Sequence, residues 1–185
     1  MIRNKKFNRR KIALSGQAIH TNRLILKPMT LADEQGFYLM RRDPDMMRFI
    51  PIGTIDTPDD HRAEFTQQFH ENFEHRFKFT YGIHLRSEAD MIGIVIMRPI
   101  PDGSMIEIGY WIRKGFWGNG YAAEAQKAMI DEQKESLKCE NKDIIAYVMV
   151  GNSASKRVLE KIGLTLTGTD QLESVNCWVF HFPKN

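Results

Sequence analysis

Residues 107–125 read EIGYWIRKGFWGNGYAAEA, and this stretch decides the fold. An extended apolar run leads into a loop containing Gly118 and Gly120, and the loop leads directly into an alanine-rich segment typical of a helix. The first N–H groups of a helix have no intrahelical partner and lie at the positive end of the helix dipole. This order of elements favours an anion-binding site, and the alternative is a connection that uses its glycines only to turn.

Hydrophobic periodicity predicts strands and helices on both sides of this stretch. We predict strands at 23–27, 79–85, 91–98, 105–112 and 143–150, a closing hairpin from 164–167 and 175–182, and helices at 31–42, from 57 onwards, at 121–137 and at 152–163. Because a helix separates the strands 105–112 and 143–150, these two strands are expected to be parallel or splayed.

Two side-chain patterns predict which faces of these elements are buried. A repeat of four residues, typical of the core face of a helix, is formed by Phe65, Phe69, Phe73 and Phe77. In the strand 91–98, alternation with a period of two predicts one shared face for Ile92, Ile94 and Ile96.

The composition is that of a globular protein with one domain. The chain has 185 residues, of which 42% are hydrophobic and 26% charged, and it contains no apolar run of the roughly 20 residues that a membrane span requires. The two cysteines, Cys139 and Cys177, form no motif, which favours a reducing cytoplasm. The histidines lack the spacing of helical metal ligands, so we expect no metal site.

Basic residues are concentrated at the N-terminus, where residues 1–11 contain arginines and lysines but no acid. We expect residues 1–20 to form a basic, poorly ordered tail and residues 21–185 to form the folded domain. The alternative for the tail is a basic arm that binds RNA or another anionic surface.

The glycine loop also fits the dinucleotide fingerprint G-x-G-x-x-A over residues 118–123. A dinucleotide site requires an acid at the end of the strand that follows the helix, where the acid binds the ribose. Here that strand, predicted at 143–150, ends with Met149 and Val150 and is followed by Gly151. A Walker A loop is excluded because no Gly-Lys-Ser or Gly-Lys-Thr follows. A dinucleotide site is therefore disfavoured.

Three segments in this order resemble the GNAT superfamily of acyl-CoA-dependent N-acetyltransferases: residues 107–112, 117–125 and 152–163 (NSASKRVLEKIG). Residues 21–28 (TNRLILKP) and 43–49 (DPDMMRF) are similar to the RimJ/RimL-type branch. The resemblance implies an α/β (α+β) fold with one mixed, mostly antiparallel sheet flanked by helices. It also implies that a splayed parallel pair of strands forms an acyl-CoA cleft, within an N-acetyltransferase domain at 21–185.

The resemblance further implies that acetyl-CoA is the cosubstrate, without a metal. Its pyrophosphate is expected at the main-chain N–H groups of Trp117, Gly118, Asn119, Gly120, Tyr121 and Ala122. The pantetheine arm is expected to pair with the strand edge at Trp111 and Ile112, and Asn152 to contact the same arm. Because Gly115 replaces the Arg or Gln common in the family, we expect Arg113 or Lys114 to compensate.

The resemblance also suggests two catalytic residues. Glu107 matches the position of a general base, and the alternative is that Glu107 only forms a salt bridge with a neighbouring basic residue. Ser155 is the candidate acid, since Leu159 stands where many members carry a tyrosine. The alternative for Ser155 is a hydrogen bond to Asn152 at the start of its helix.

The implied reaction is direct acetyl transfer to a primary amine. The acceptor is left open between a ribosomal or other protein N-terminus, a small amine and an amino-acid derivative. Its contacts are expected near residues 48–50 and in the connection 168–176. A homodimer is compatible with the family, whereas membrane and nucleic-acid partners are not expected. The alternative function is a non-catalytic acyl-CoA sensor or scaffold.

Overall fold

The computed structural model describes residues 15–50, 53–55, 57–71, 79–87, 90–172 and 174–183. The strands are β1 (Ile19–His20), β2 (Leu24–Pro28), β3 (Thr80–Leu85), β4 (Met91–Pro99), β5 (Ile106–Ile112), β6 (Ile144–Met149), β7 (Thr165–Leu172) and β8 (Val175–His181). The helices are α1 (Glu34–Arg41), α2 (Pro44–Met47), α3 (Pro58–Glu71), α4 (Tyr121–Leu137) and α5 (Ser153–Lys161). None of the helices in these described ranges is long and apolar enough to cross a bilayer.

The strands form one 8-stranded sheet in the order β1-β2-β3-β4-β5-β6-β8-β7. Neighbouring strands are antiparallel except β5 and β6, which are parallel and pair Ile106 with Ile144 and Glu107 with Ile145. The mixed, mostly antiparallel sheet and its parallel pair are therefore confirmed. Because the register between β5 and β6 ends at Glu107, the two strands separate beyond it and leave a gap in the sheet.

Apolar side chains cover both faces of the sheet. On one face, Met129 of α4 packs with Val95 of β4 in the main core. On the other face, Phe37 of α1 and Phe65 of α3 pack with Ile94 of β4. The gap between β5 and β6 is therefore approached by α4 on one side and by α1 and α3 on the other.

Strand β4 departs from the predicted alternation at one position. Its pairing with β3 shifts register after Ile83, so that Ile92 is an extra residue, as in a β-bulge. The side chain of Ile92 joins the main core beside α4, whereas Ile94 and Ile96 lie in the cluster on the other face. The prediction that Ile92 shares their face is wrong, because a bulge inverts the alternation.

Helix α3 carries the first half of the predicted phenylalanine stripe. Phe65 is buried, and its ring lies 5.4 Å from that of Phe37. The half-buried ring of Phe69 follows at 5.9 Å from Phe65. These two residues form a core face, as predicted, while Phe73 and Phe77 lie outside the described residues.

The C-terminal hairpin is longer than the sequence predicts. Strand β7 continues to Leu172 and β8 begins at Val175, so most of the connection expected at 168–176 is strand. Every residue of β7 is exposed at the edge of the sheet. The strand has no buried face that would show as alternating hydrophobicity, and its ladder with β8 holds it in place.

The described part of the predicted tail, residues 15–20, lies against the sheet and α4. Ile19 pairs with Leu26 of β2, and the N–H of Ser15 donates to Oε1 of Gln133 at 2.7 Å. The basic residues 1–14 lie outside the described residues.

Acidification is expected to destabilise the fold through His61, whose side chain is fully buried (0% exposed). Burial lowers the pKa of His61 below its usual 6.5, although the nearby Glu34 opposes this shift. The unfolded chain therefore binds a proton at a higher pH than the folded chain does. The stabilisation that comes from neutral His61 should be fully present above about pH 6.5. The free energy of unfolding should then fall as the pH drops towards the lowered pKa.

Urea unfolding between about pH 8 and pH 5 measures this dependence. His61→Gln should remove the part of the pH dependence that comes from His61, and the matched change at the exposed His70 of the same helix should leave it in place. Identical pH profiles for wild type and His61→Gln would show that another group is responsible.

Candidate active site

Two glycines with positive φ shape the loop between β5 and α4. The φ angle is 79° at Gly118 and 78° at Gly120, in a region that residues with a Cβ rarely adopt. A Cβ on Gly118 would meet no atom within 4 Å, so this side of the loop is open. The side-chain Nδ2 of Asn119 donates to the carbonyl oxygens of Phe116 and Trp117 at 3.2 and 3.1 Å, and these two bonds fix the shape of the loop.

Consecutive N–H groups in this loop and the first turn of α4 lack an acceptor. In the part of the chain that the structure describes, no hydrogen bond satisfies the N–H groups from Gly118 to Ala123. The N–H of Trp117, expected to belong to this set, instead donates to the carbonyl of Lys114 at 3.1 Å. Unpaired donors at the start of the 17-residue helix α4 are an arrangement that favours the binding of an anion.

Arg23, which directly precedes β2, ties this loop to the sheet. Its Nη1 donates to the carbonyl of Asn119 at 2.9 Å, and its Nε donates to Oε2 of Glu124 at 2.7 Å. The hydroxyl of Thr21 donates to the other oxygen of Glu124 at 2.6 Å. The guanidinium also lies over the ring of Tyr121, 4.6 Å from its centroid. These contacts hold the loop and the start of α4 in one arrangement.

The same contacts set the charge of Glu124. Burial alone would raise the pKa of its carboxyl, but hydrogen bonds from Thr21 and Arg23 and the charge of Arg23 outweigh burial and lower the pKa below its usual value. Glu124 is therefore a carboxylate that neutralises the guanidinium beside it. Arg23 consequently positions the loop more than it adds positive charge to it.

Lys161, at the end of α5, brings a second cation to this loop. Its Nζ lies 3.7 Å from the position that a Cβ would take on Gly120, and Nη2 of Arg23 lies 3.6 Å from the same position. Lys161 forms no hydrogen bond or ion pair with any residue that the structure describes. An unpaired ammonium beside the positive end of a helix dipole is stabilised when an anion binds between them.

The basic residues expected to compensate for Gly115 point elsewhere. The Nζ of Lys114 donates to Oδ2 of Asp45 in α2 at 2.5 Å. The Nη1 of Arg113 donates to the carbonyl of Met91 at 3.3 Å. The cations that do approach the glycine loop are Arg23, directly before β2, and Lys161 of α5. Both are distant from the loop in sequence, so no local motif reveals them.

The main-chain groups of β5 alternate between β4 and the gap. The N–H of Arg113 donates to the carbonyl of Ile92 on β4 at 2.8 Å. By the alternation of an antiparallel ladder, the odd-numbered residues before Arg113 also face β4, and the even-numbered residues face the gap. The main-chain groups of Ile108, Tyr110 and Ile112 therefore line the gap.

Trp111 and Ile112, the strand residues expected to pair with the cofactor, both have other contacts. The main chain of Trp111 faces β4, and its ring stacks on Phe37 with centroids 5.4 Å apart. The carbonyl of Ile112 faces the gap but accepts a hydrogen bond from the indole Nε1 of Trp117 at 2.6 Å. Of these two residues, only Ile112 keeps a main-chain group, its N–H, open to the gap, beside Ile108 and Tyr110.

Glu107 lies at the last paired position before the gap opens. Its Oε2 accepts a hydrogen bond from Nε of Arg98 at 3.0 Å, and its side chain is 26% exposed. The other carboxylate oxygen, Oε1, has no hydrogen-bond partner among the described residues. The salt bridge considered as the alternative role is present, and it leaves one oxygen free to accept a proton.

Ser155 is held at the start of α5 by two hydrogen bonds. Its N–H donates to Oδ1 of Asn152 at 3.1 Å, which caps the helix. Its Oγ accepts a hydrogen bond from the hydroxyl of Tyr110 at 3.0 Å. The bond to Asn152 therefore uses the main chain of Ser155, and its hydroxyl pairs with a tyrosine that the sequence reasoning did not single out.

Glu107 and the pair formed by Tyr110 and Ser155 flank the gap from opposite faces. Trp111 belongs to the cluster beside α1 and α3, so Glu107, four residues before it on the same face, lies on that side. Tyr110 packs against the main core beside α4. A group bound in the gap would be contacted by a carboxylate from one face and by hydroxyl groups from the other.

Comparisons with known proteins agree on one family. Residues 23–165 match the description Acetyltransferase (GNAT) domain. YnaD, an uncharacterised N-acetyltransferase of Bacillus subtilis, is 28% identical over 81% of this chain and 84% of its own length. A GNAT-family acetyltransferase from Bacillus anthracis has a similar structure, with a TM-score of 0.73 and 22% identity over 89% of this chain and 96% of that chain. RimJ of Mycobacterium smegmatis, solved with CoA-disulfide, has a TM-score of 0.72 and 17% identity over 90% of this chain and 87% of its own.

Proposed function

The chain belongs to the GNAT acetyltransferase family, and on this premise we propose that it transfers an acetyl group from acetyl-CoA directly to a primary amine. The observation that carries the proposal is the run of unpaired N–H groups from Gly118 to Ala123 beside the gap between β5 and β6. A thioester bound along this path reaches Glu107, where the strands separate.

In the proposed complex, the pyrophosphate of acetyl-CoA is bound by the N–H groups of residues 118–123 and by Lys161. The pantetheine arm runs through the gap along the main chain of Ile108 and Tyr110. The Nδ2 of Asn152 is available to the same arm, because only its Oδ1 is used in capping α5. The amine approaches from the face of the sheet that carries Glu107.

The chemistry requires a base and a group that stabilises the leaving thiolate. A primary alkyl amine has a pKa of about 10, and a peptide α-amine one of about 8, so at neutral pH the nucleophile must lose a proton. Glu107 accepts this proton through Oε1, directly or through a water molecule. The carbon–nitrogen bond then forms and the carbon–sulfur bond breaks. Ser155 stabilises the leaving sulfur from the opposite face of the sheet.

For the acceptor, we assign the chain to the RimJ/RimL-type branch on the strength of residues 21–28 and 43–49. We propose a ribosomal or other protein N-terminus as the substrate, with a small amine as the alternative, in the cytoplasm. The contacts of the acceptor fall on α1, α2 and the β7–β8 hairpin. Membership of an acetyltransferase family favours this function over that of a non-catalytic acyl-CoA sensor.

A screen for thiol release tests the proposed function. Acetyl-CoA is incubated with the protein and a panel of peptides with different N-terminal residues, polyamines and single amino acids. We expect release of free CoA thiol that depends on one class of amine, together with an acetylated product of matching mass. Tight binding of acetyl-CoA without release for any amine would favour the sensor.

Removing Lys161 is expected to weaken acetyl-CoA binding. Lys161→Met should raise the dissociation constant by about two- to five-fold at low salt, since an exposed charge near a helix N-terminus contributes about 0.3–1 kcal/mol. The difference should shrink as salt is added, because ions screen exposed charges. Isothermal titration calorimetry with acetyl-CoA at low and high salt measures both effects.

Lys127→Met is the matched control, because Lys127 lies on α4 and pairs with Asp131 at 3.2 Å, outside the loop. It should leave the dissociation constant unchanged. If Lys161→Met also bound acetyl-CoA like wild type at low salt, Lys161 would not belong to the pyrophosphate site.

A further inference from the structure

The side chain of Tyr110 reaches from β5 to α5 beside the gap. Its hydroxyl lies 3.0 Å from Oγ of Ser155, although the two residues belong to elements on opposite sides of the separation between β5 and β6. The aromatic ring packs against the main core. The Tyr110 hydroxyl is thereby held at a fixed point next to the candidate leaving-group site.

The direction of this hydrogen bond follows from what each hydroxyl can reach. Among the described residues, the hydroxyl of Tyr110 has no other partner than Ser155. Burial also raises the pKa of Tyr110, although the bond to Ser155 opposes this shift, so the phenol is protonated and must donate. If Ser155 donated instead, the phenol proton would have no acceptor among the described residues.

A serine hydroxyl has one proton to donate and two lone pairs that accept. Because Ser155 accepts from Tyr110, its own proton remains available for a third group. Hydrogen bonds in a chain polarise one another, so the bond from Tyr110 makes the Ser155 hydroxyl a stronger donor. The hydroxyl of Ser155 thus has a proton without an acceptor among the described residues.

We propose that Tyr110 is a positioning residue that fixes the Ser155 hydroxyl as a hydrogen-bond donor to the sulfur of acetyl-CoA as the thiolate leaves. This inference rests on the proposed function. It narrows the role of Ser155, because the serine stabilises the thiolate without giving up its proton.

The proton balance supports this narrower role. When the carbon–sulfur bond breaks, the electron pair stays on sulfur, and the new thiolate accepts the hydrogen bond from Ser155. An alkyl thiol has a pKa of about 8.5, and a serine hydroxyl is a much weaker acid, so full transfer from Ser155 would run uphill. The thiolate takes its proton from solvent on release, while the proton of the amine leaves through Glu107 on the other face.

The ionisation of bound CoA tests the inference without an acceptor. CoA labelled with carbon-13 next to sulfur is bound to wild type, Tyr110→Phe, Ser155→Ala and the double variant, and the carbon chemical shift is followed against pH. Ser155→Ala should raise the pKa of the bound thiol by about one unit or more, the size of a hydrogen bond to a charged group. Tyr110→Phe should raise the pKa of the bound thiol by less than Ser155→Ala does. Because Tyr110 acts through Ser155, the thiol pKa of the double variant should equal that of Ser155→Ala.

Calorimetry with CoA serves as the control for folding and binding. Tyr110→Phe keeps the ring that packs in the core, so its dissociation constant for CoA should stay within about two-fold of wild type, and it should lower kcat rather than raise KM. The inference would be overturned if the thiol pKa were unchanged in Tyr110→Phe. It would also be overturned if the double variant raised the thiol pKa further than Ser155→Ala does. Either result would leave the proposed function intact, because the thiol-release screen tests that function with wild-type protein alone.

Discussion

Replacing Glu107 with glutamine is expected to lower kcat by about 10²- to 10⁴-fold, the usual contribution of a positioned general base. Glutamine keeps the shape of the side chain and still accepts a hydrogen bond from Arg98, but it cannot take a proton from the amine. The loss should therefore appear in kcat, with little change in the KM for acetyl-CoA. Initial rates of CoA thiol release at saturating acetyl-CoA, between about pH 6 and pH 9, measure the effect.

The pH profile should separate a base from a structural carboxylate. In wild type, proton removal by Glu107 lets the protonated amine react below its own pKa. Without Glu107 only the free amine reacts, so the rate of Glu107→Gln should rise with pH until the amine is deprotonated. The deficit should consequently be largest near pH 6 and smaller near pH 9.

Arg98→Gln is the matched control, because Arg98 is the partner of Glu107 at 3.0 Å and lies on the neighbouring strand. If Glu107 serves only to pair with Arg98, the two variants should lose similar activity, since each removes one charge of the same half-buried salt bridge. Such a pair contributes about 0–1 kcal/mol. An Arg98→Gln loss as large as that of Glu107→Gln, or an unchanged kcat in Glu107→Gln, would contradict the base assignment.

The elements that the sequence predicts well are those with a local cause. The order of β5, the glycine loop and α4 is encoded by adjacent residues. Gly118 and Gly120, which adopt the positive φ that the turn requires, mark the loop in the sequence. The parallel pairing of β5 and β6 follows from the helix between them. For the same reason α4 begins directly after the glycine loop, as the consecutive residues predict.

The parts that the sequence did not reveal depend on contacts between distant segments. Arg23, directly before β2, and Lys161 of α5 both reach the glycine loop, and nothing next to either residue in sequence indicates that contact. Tyr110 looks like an ordinary core residue of β5, and only its 3.0 Å bond to Ser155 gives it a second role. Residue identity is visible in the sequence, whereas the meeting of side chains is set by the topology of the sheet.

Two errors in the sheet have different physical origins. Ile92 changes face because a bulge adds a residue to β4, and β7 extends to Leu172 although both of its faces are exposed. Hydrophobic periodicity in a sequence indicates which face of a strand is buried. The bulge shifts the alternation of β4, and β7 has no buried face that could produce an alternation. Neither error reaches Glu107 or the glycine loop, because β5 keeps a regular register with β4.

Replacing Gly93 with alanine is expected to destabilise the protein by about 3 kcal/mol or more, at the upper end for inserting a methyl group into a packed site. A Cβ on Gly93 would lie 2.3 Å from the carbonyl oxygen of Trp111 and 2.8 Å from Cδ1 of Ile112. The carbonyl belongs to the main chain of β5, so relief requires that β4 and β5 move apart. Because β5 carries Glu107 and one wall of the gap, activity should fall with stability. Urea unfolding followed by circular dichroism measures the loss.

Gly109→Ala provides the matched control on β5 itself. A Cβ at Gly109 would meet no atom within 4 Å, and the residue has no positive φ. Alanine there should leave the free energy of unfolding within about 1 kcal/mol of wild type or raise it slightly, since it restricts the unfolded chain. A loss in Gly93→Ala no larger than that in Gly109→Ala would mean that the two strands can separate locally without strain. In that case the close contact of β4 with β5 would not be what holds Glu107 at the mouth of the gap.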